Sequence, residues 1–251
     1  MKAIFFVIYV LLIVVLAIVA VVVLGLATLL SLPFDKERKM VMALSQVAGR
    51  AVYFLSPVWR VEVEGAEKCD PTKTYVITAN HQSFFDIPFL FYLPVWKFKF
   101  VSKVEVRKIP AIGWMLGMRG DIVIKRGTTA AAAAVKNEGA AHLGRGTSVV
   151  IFPEGTRTKD GEVHRFKEGA FRLAQENNVP LLPCVIYGTA GIFGLFRLTP
   201  RRLRLRVLDP IGPEEIAATP VREMAQRVEE LTRNEFALLR AEAEQQKKGK
   251  N

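Results

Sequence analysis

The chain has 251 residues, 51% of them apolar, and a formal charge of +11. These two excesses lie in different places: residues 3–34 carry no charge and are apolar except for Gly25, Thr28, Ser31 and Pro33, while residues 35–251 hold a net +10. A body of that length buries a core of one or two domains, which excludes a disordered or fibrous chain.

The apolar run exceeds the roughly 20 residues a helix needs to cross a bilayer and the roughly 7–15 of a cleavable signal peptide. A membrane helix, able to bend at Gly25, is therefore expected. Lys36, Arg38, Lys39 and Arg50 follow it and only Lys2 precedes it, so the positive-inside bias places the body in the cytoplasm. From residue 36 to 59, basic residues mix with Met40, Val41, Leu44, Val47, Ala51, Phe54 and Leu55 at near-helical spacing. This predicts an amphipathic helix that lies in the headgroup layer or covers the body's core. A spanning helix with an interfacial helix and a two-helix wedge in one leaflet both remain open. Residues 1–58 are expected to anchor and residues 59–251 to form one body.

Beyond the anchor, strands are expected at 59–64, 75–78, 98–102, 122–124, 148–152, 181–187 and 203–207. Helices are expected at 84–93, 128–143, 169–177 and 213–247. The alternation predicts an α/β architecture with a sheet covered by helices. Alanines 130–134 read as a packed helix, alanine being the best helix former. Cys69 and Cys184 argue against a disulfide framework without disproving one bridge. Neither lies at ligand spacing from the other or from His81, His142 or His164, so no metal is expected.

Two stretches carry candidate chemistry. The first is Asn80-His81-Gln82-Ser83-Phe84-Phe85-Asp86, leaving a strand. In a continuous helix His81 and Asp86 point roughly 140° apart, so they meet only if a helix begins between them. The carboxylate then accepts from one imidazole nitrogen and leaves the other as a base, which a helix amino terminus helps keep neutral. A capping Asp beside a polar junction His is the alternative. The second is Phe152-Pro153-Glu154-Gly155-Thr156-Arg157. Here glycine permits close backbone approach and Arg forks onto phosphate or carboxylate oxygens; a turn closed by a Glu–Arg pair is the alternative. Lys103, Lys125 and Arg126 offer further cations. Ser83 reads as a helix cap, Cys184 as a small core residue, and His142 and His164 as lacking an acidic partner.

The NHQSFFD box, the IPAIG to IVIKR stretch, the FPEGTR box and Val179-Pro180-Leu181-Leu182-Pro183 stand in the order and spacing of four blocks. Together, over residues 60–190 and with Phe166-Lys167-Glu168-Gly169-Ala170 also fitting, they resemble the glycerolipid acyltransferase family, most closely its 1-acyl-sn-glycerol-3-phosphate acyltransferases. The resemblance implies that His81 of the His-X4-Asp motif is a general base for the sn-2 hydroxyl of lysophosphatidic acid, with Asp86 orienting it. It implies acyl-CoA or acyl-ACP as co-substrate, phosphatidic acid as product, and no cofactor. Arg126, Glu154, Gly155 and Arg157 match positions that hold the glycerol phosphate, Lys103 is a further contact, and the fourth block sits on the acyl or donor side. Lys125 stands where an Asp often precedes the Arg, which leaves headgroup preference open. No acyl-enzyme is needed, in keeping with the absence of a GxSxG elbow.

Arg197, Arg201, Arg202, Arg204 and Arg206 predict a cationic strand face, suited to anionic phospholipid, phosphorylated substrate or an acidic donor rather than nucleic acid. Lys247, Lys248 and Lys250 read as a solvated end. The expected partners are thus the inner (cytoplasmic) membrane bilayer, lysophosphatidic acid and acyl-CoA or acyl carrier protein, with no nucleic acid. An acyltransferase for another lysophospholipid or a lyso-aminolipid, and a non-catalytic membrane lipid-binding protein, are the competing readings. An oriented base argues against the second.

Overall fold

The structure, a computed structural model, describes residues 2–125, 127–194, 197–198 and 200–248. Helix α1 (Lys2–Ser31) runs unbroken through Gly25. Its mean hydropathy reaches 3.6, with 17% of that window buried, so it is long and apolar enough to cross a bilayer. After a turn, α2 (Lys39–Phe54) returns alongside it as an antiparallel hairpin. Tyr9 donates to Val52 O at 2.7 Å near one end, and Leu24 and Ala27 cluster with Val41 near the other.

One face of the amphipathic helix covers the core. Val41, Ser45, Gly49 and Tyr53 recur at four-residue spacing and are buried against the body. A β-carbon on Gly49 would overlap the Phe91 ring, so only glycine lets the helix sit this low. Met40, Val47 and Phe54 remain exposed on the other side.

The strands of the body are β1 (Trp59–Glu64), β2 (Val76–Ala79), β3 (Phe98–Lys103), β4 (Ile122–Ile124), β5 (Ser148–Ile151), β6 (Leu181–Tyr187), β7 (Phe193–Gly194), β8 (Arg197–Leu198) and β9 (Arg201–Val207). Seven of them form one sheet of order β1-β9-β6-β2-β5-β3-β4. All neighbours in it are parallel except β6 and β9. The pair β7 and β8 forms a separate ribbon that the sequence pattern did not announce, each strand being two residues long. Alternate strand residues feed two cores. Ile77, Phe98, Phe100, Val150 and Leu182 face α2 and α3 (Asp86–Phe89). Val76, Val101, Val149, Leu181 and Val185 face α5 (Thr129–Gly144), α6 (Gly169–Glu176), α7 (Pro213–Ala218) and α8 (Val221–Lys248).

Several expectations are corrected. The single helix at 213–247 is two, because Pro220 lacks an amide proton and clashes with a preceding turn. The helix at 84–93 shrinks to α3 and a 3-10 turn at Leu90–Tyr92. Helix α4 (Ile112–Arg119) was hidden in the glycine-containing second block. The cationic strand face is neutralised by acids: Glu62 lies opposite Arg204 and Glu64 opposite Arg206 in the β1–β9 ladder. Arg202 and Arg204 reach Glu62 at 2.9 Å, and Arg206 reaches Glu64 at 2.7 Å and Glu235 at 2.9 Å. His142 and His164 do have acidic partners, Glu37 at 3.1 Å and Asp160 at 3.0 Å. Cys69 and Cys184 are free and buried. Arg126 and Lys250, and the side chains of Arg197, Lys247 and Lys248, lie outside the described residues.

Candidate active site

Strands β2, β3, β4 and β5 are parallel, so the segments leaving them emerge at one edge of the sheet. The two candidate boxes meet there, as expected where open α/β sheets bind ligands. Helix α3 starts at Asp86, which supplies the break between His81 and Asp86. His81 Nδ1 lies 2.8 Å from Asp86 Oδ2. The same oxygen accepts from the backbone N–H of Gln82 at 2.6 Å and of Ser83 at 2.8 Å. The Thr189 hydroxyl donates to Asp86 Oδ1 at 2.5 Å. A fully buried carboxylate with four donors is fixed in place. It therefore keeps the His81 proton on Nδ1 and leaves Nε2 as an acceptor, with no hydrogen-bond partner among the described residues. The His81 ring stacks on Phe152, centroids 4.0 Å apart and planes 17° apart.

The second box supports the first from below. Glu154 Oε1 accepts from the His81 backbone N–H at 2.7 Å and Oε2 from the His164 N–H at 3.2 Å. The Thr158 N–H donates to His81 O at 2.8 Å. Glu154 is thus turned inward on two backbone amides. Burial raises its pKa from 4.5 to about 7, and the two amides only partly offset this. The folded protein retains this proton up to about pH 7, whereas the unfolded chain releases it near 4.5. Stability from this group is therefore complete below pH 4.5 and declines as the pH rises to about 7. Glu154→Gln is expected to remove up to about 3 kcal/mol of that decline, read by denaturant titration at pH 5 and pH 8; an unchanged slope would show that other groups cause it.

Gly155 adopts φ +74°, the left-handed region glycine enters without strain. A β-carbon there would meet Lys167 Nζ at 2.7 Å. Arg157 is exposed, one residue from the Thr158 amide that binds His81. Lys103, at the end of β3, is exposed and paired with Glu105 at 3.1 Å. Ser83 does not cap α3; its hydroxyl accepts from the Phe85 N–H at 3.2 Å in the preceding turn. Cys184 is wholly buried, and burial pushes its thiol pKa far up, so it is no nucleophile. Thr189, 103 residues from Asp86, had no motif to reveal it. Asn80 had a signal in the box itself: it exchanges hydrogen bonds with the backbone of Ile186 at 2.9 and 2.7 Å, fixing the strand end that carries His81.

A family model described as Acyltransferase matches residues 60–187, just over half of the chain. The 1-acyl-sn-glycerol-3-phosphate acyltransferase LPAT1, chloroplastic, of Arabidopsis thaliana is 39% identical over 137 residues, 54% of this chain and 38% of its own. The 1-acyl-sn-glycerol-3-phosphate acyltransferase alpha of Homo sapiens is 33% identical over 172 residues, 67% of this chain and 61% of its own. This chain therefore spans less than two thirds of these curated relatives. The crystal structure of the 1-acyl-sn-glycerophosphate (LPA) acyltransferase PlsC from Thermotoga maritima is similar with a TM-score of 0.78 and 29% identity, covering 96% of this chain and 98% of that one. With the His81–Asp86 and Glu154–Arg157 boxes brought together at one edge of the matching α/β sheet, the chain belongs to the Acyltransferase family.

Proposed function

We infer that the protein transfers an acyl group from an acyl-CoA or acyl-ACP thioester to the sn-2 hydroxyl of 1-acyl-sn-glycerol 3-phosphate, giving phosphatidic acid. The observation that carries this reading is the His81–Asp86 pair: Nδ1 is fixed at 2.8 Å and Nε2 is left as an acceptor. Nε2 takes the hydroxyl proton as the oxygen attacks the thioester carbonyl carbon. The tetrahedral intermediate then expels sulfur, which receives the proton from the imidazolium, so ester and free thiol leave with His81 restored. No cofactor enters this sequence. Arg126, Arg157 and Lys103 are the cations assigned to the glycerol phosphate, with Gly155 giving close backbone approach; Glu154 acts by holding the His81 backbone. Names of the similar proteins support the acceptor.

Helix α1 associates the enzyme with the bilayer that delivers the lysolipid. Contacts from Tyr9 to Ala27 dock most of its length against α2 and the body, at about 1.5 Å of rise per residue. This favours a hairpin seated in one leaflet of the inner membrane, with the body on the cytoplasmic side. The exposed Phe34, Phe54 and Trp114 extend that apolar surface.

A donor-by-acceptor activity matrix in detergent tests the reading. Thiol release is expected only with a lysolipid present, and fastest with lysophosphatidic acid. Arg157→Gln should raise KM for that acceptor about 10-fold or more, while a lyso-aminolipid without a phosphate is unaffected. Equal rates with acceptors lacking a free phosphate would sink the assignment.

A further inference from the structure

The sheet divides two cavities. One, of about 250 Å³ and almost wholly apolar, lies among α1, α2, α3 and α4 on the membrane-anchor side. The other, of about 630 Å³, lies on the opposite face between α5 and α6. Its volume falls in the range of about 300–1,000 Å³ usual for small-molecule sites. Val101, Ile124 and Ile151 form its floor, and alanines 131–133 with Gly155 and Gly169 leave it open. Phe152, on which the His81 ring stacks, is part of its wall, so one residue separates the cavity from the catalytic base.

Lys136, Lys167, Arg172 and Glu176 are the charged residues that line it. Lys136 is paired with Glu176 at 3.1 Å and Arg172 with Glu168 at 3.0 Å. Lys167 has no ion pair among the described residues, and its ammonium is packed over Gly155, between the cavity and the loop that holds His81. With α1 and α2 seated in the bilayer as proposed, the lysolipid tail lies on their side of the sheet. A cavity on the far side, open to water and carrying an uncompensated cation, suits the substrate that arrives from solution.

We propose that this cavity receives the phosphopantetheine arm of the acyl donor, with Lys167 binding its phosphate and the thioester presented to His81 across Phe152. The proposal rests on the acyltransferase reading. The narrow arm fits a slot lined by alanine and glycine, and its single phosphate fits one free ammonium. Coenzyme A and acyl carrier protein share this chemistry.

The test uses the full-length protein in detergent with acyl-CoA, acyl-ACP and S-acyl-pantetheine, which lacks the phosphate. Lys167→Gln is expected to raise KM for acyl-CoA and acyl-ACP about 10-fold or more, and to leave KM for S-acyl-pantetheine and for the lysolipid within twofold. A rise confined to acyl-CoA would overturn the arm in favour of the nucleotide phosphates, and a rise for the lysolipid would make the cavity an acceptor site. Ala132→Phe, at an exposed helical position facing the cavity, should raise KM for all three donors. If the wild-type protein turned over no thioester, the activity reading would fall. Calorimetric titration with coenzyme A would still decide the cavity: binding lost in Ala132→Phe supports it, and binding equal to that of wild type overturns it.

Discussion

His81→Ala is expected to lose about two to four orders of magnitude in turnover while remaining folded. The separation of the two effects follows from how the residue is held. Its backbone N–H donates to Glu154 and its carbonyl accepts from Thr158, and both bonds survive removal of the ring. What disappears is Nε2 and the stacking on Phe152. Asp86→Asn should act in the same direction, because an amide does not hold the tautomer that exposes Nε2. The check is initial rate under saturating donor and acceptor, alongside circular dichroism of the same preparations. Turnover near wild type in a folded His81→Ala protein would remove the base from the mechanism.

The largest stability effect is expected at Asp121. Its carboxylate accepts from Arg119 Nε at 2.9 Å and from the Phe100 N–H at 2.9 Å. Arg119 is 3% exposed, donates to Phe98 O at 2.8 Å and to Ser45, and lies within 5.2–5.7 Å of the ring centroids of Phe91, Phe98 and Phe100. Lys99, 1% exposed, donates to Glu37 O and Arg119 O beside it, and burial lowers its pKa to about 8. Asp121→Ala therefore strips the balancing charge from a buried guanidinium with a buried amine nearby. Removing one partner of such a pair costs about 3–5 kcal/mol. Asp121→Asn, which keeps the shape and one acceptor, should cost less. Denaturant titration in detergent measures both, and a loss below about 1 kcal/mol for Asp121→Ala would show that the cluster relaxes or admits water.

How much of this was legible depended on the range of the interaction. The strands Trp59–Glu64, Ile122–Ile124 and Leu181–Tyr187 stand where their apolar and β-branched runs predicted, because such runs declare a strand locally. Helix α4 escaped because Gly113 and Gly117 depress its propensity; a β-carbon on Gly113 would overlap the Arg107 carbonyl, so the glycine there answers a tertiary demand. The four boxes were readable as boxes, and the interval from His81 to Asp86 required a helix start that α3 provides. The inward turn of Glu154 was not readable, since its partners are backbone amides brought in by the fold.

Charge shows the division most plainly. That an uncharged apolar segment precedes a basic body, and that a helix boundary must separate His81 from Asp86, follow from composition and from spacing within a few turns of chain. What the cations do was settled only by tertiary packing. Arg38 binds the carbonyls ending α4, Arg50 donates to Phe91 O at 2.7 Å, and the arginines of β9 face glutamates from β1 and α8. Lys167 is left over Gly155 in the lining of a cavity. A charge's work is set by whichever group lies within a few ångströms of it, and those neighbours come from strands and helices tens to more than a hundred residues away.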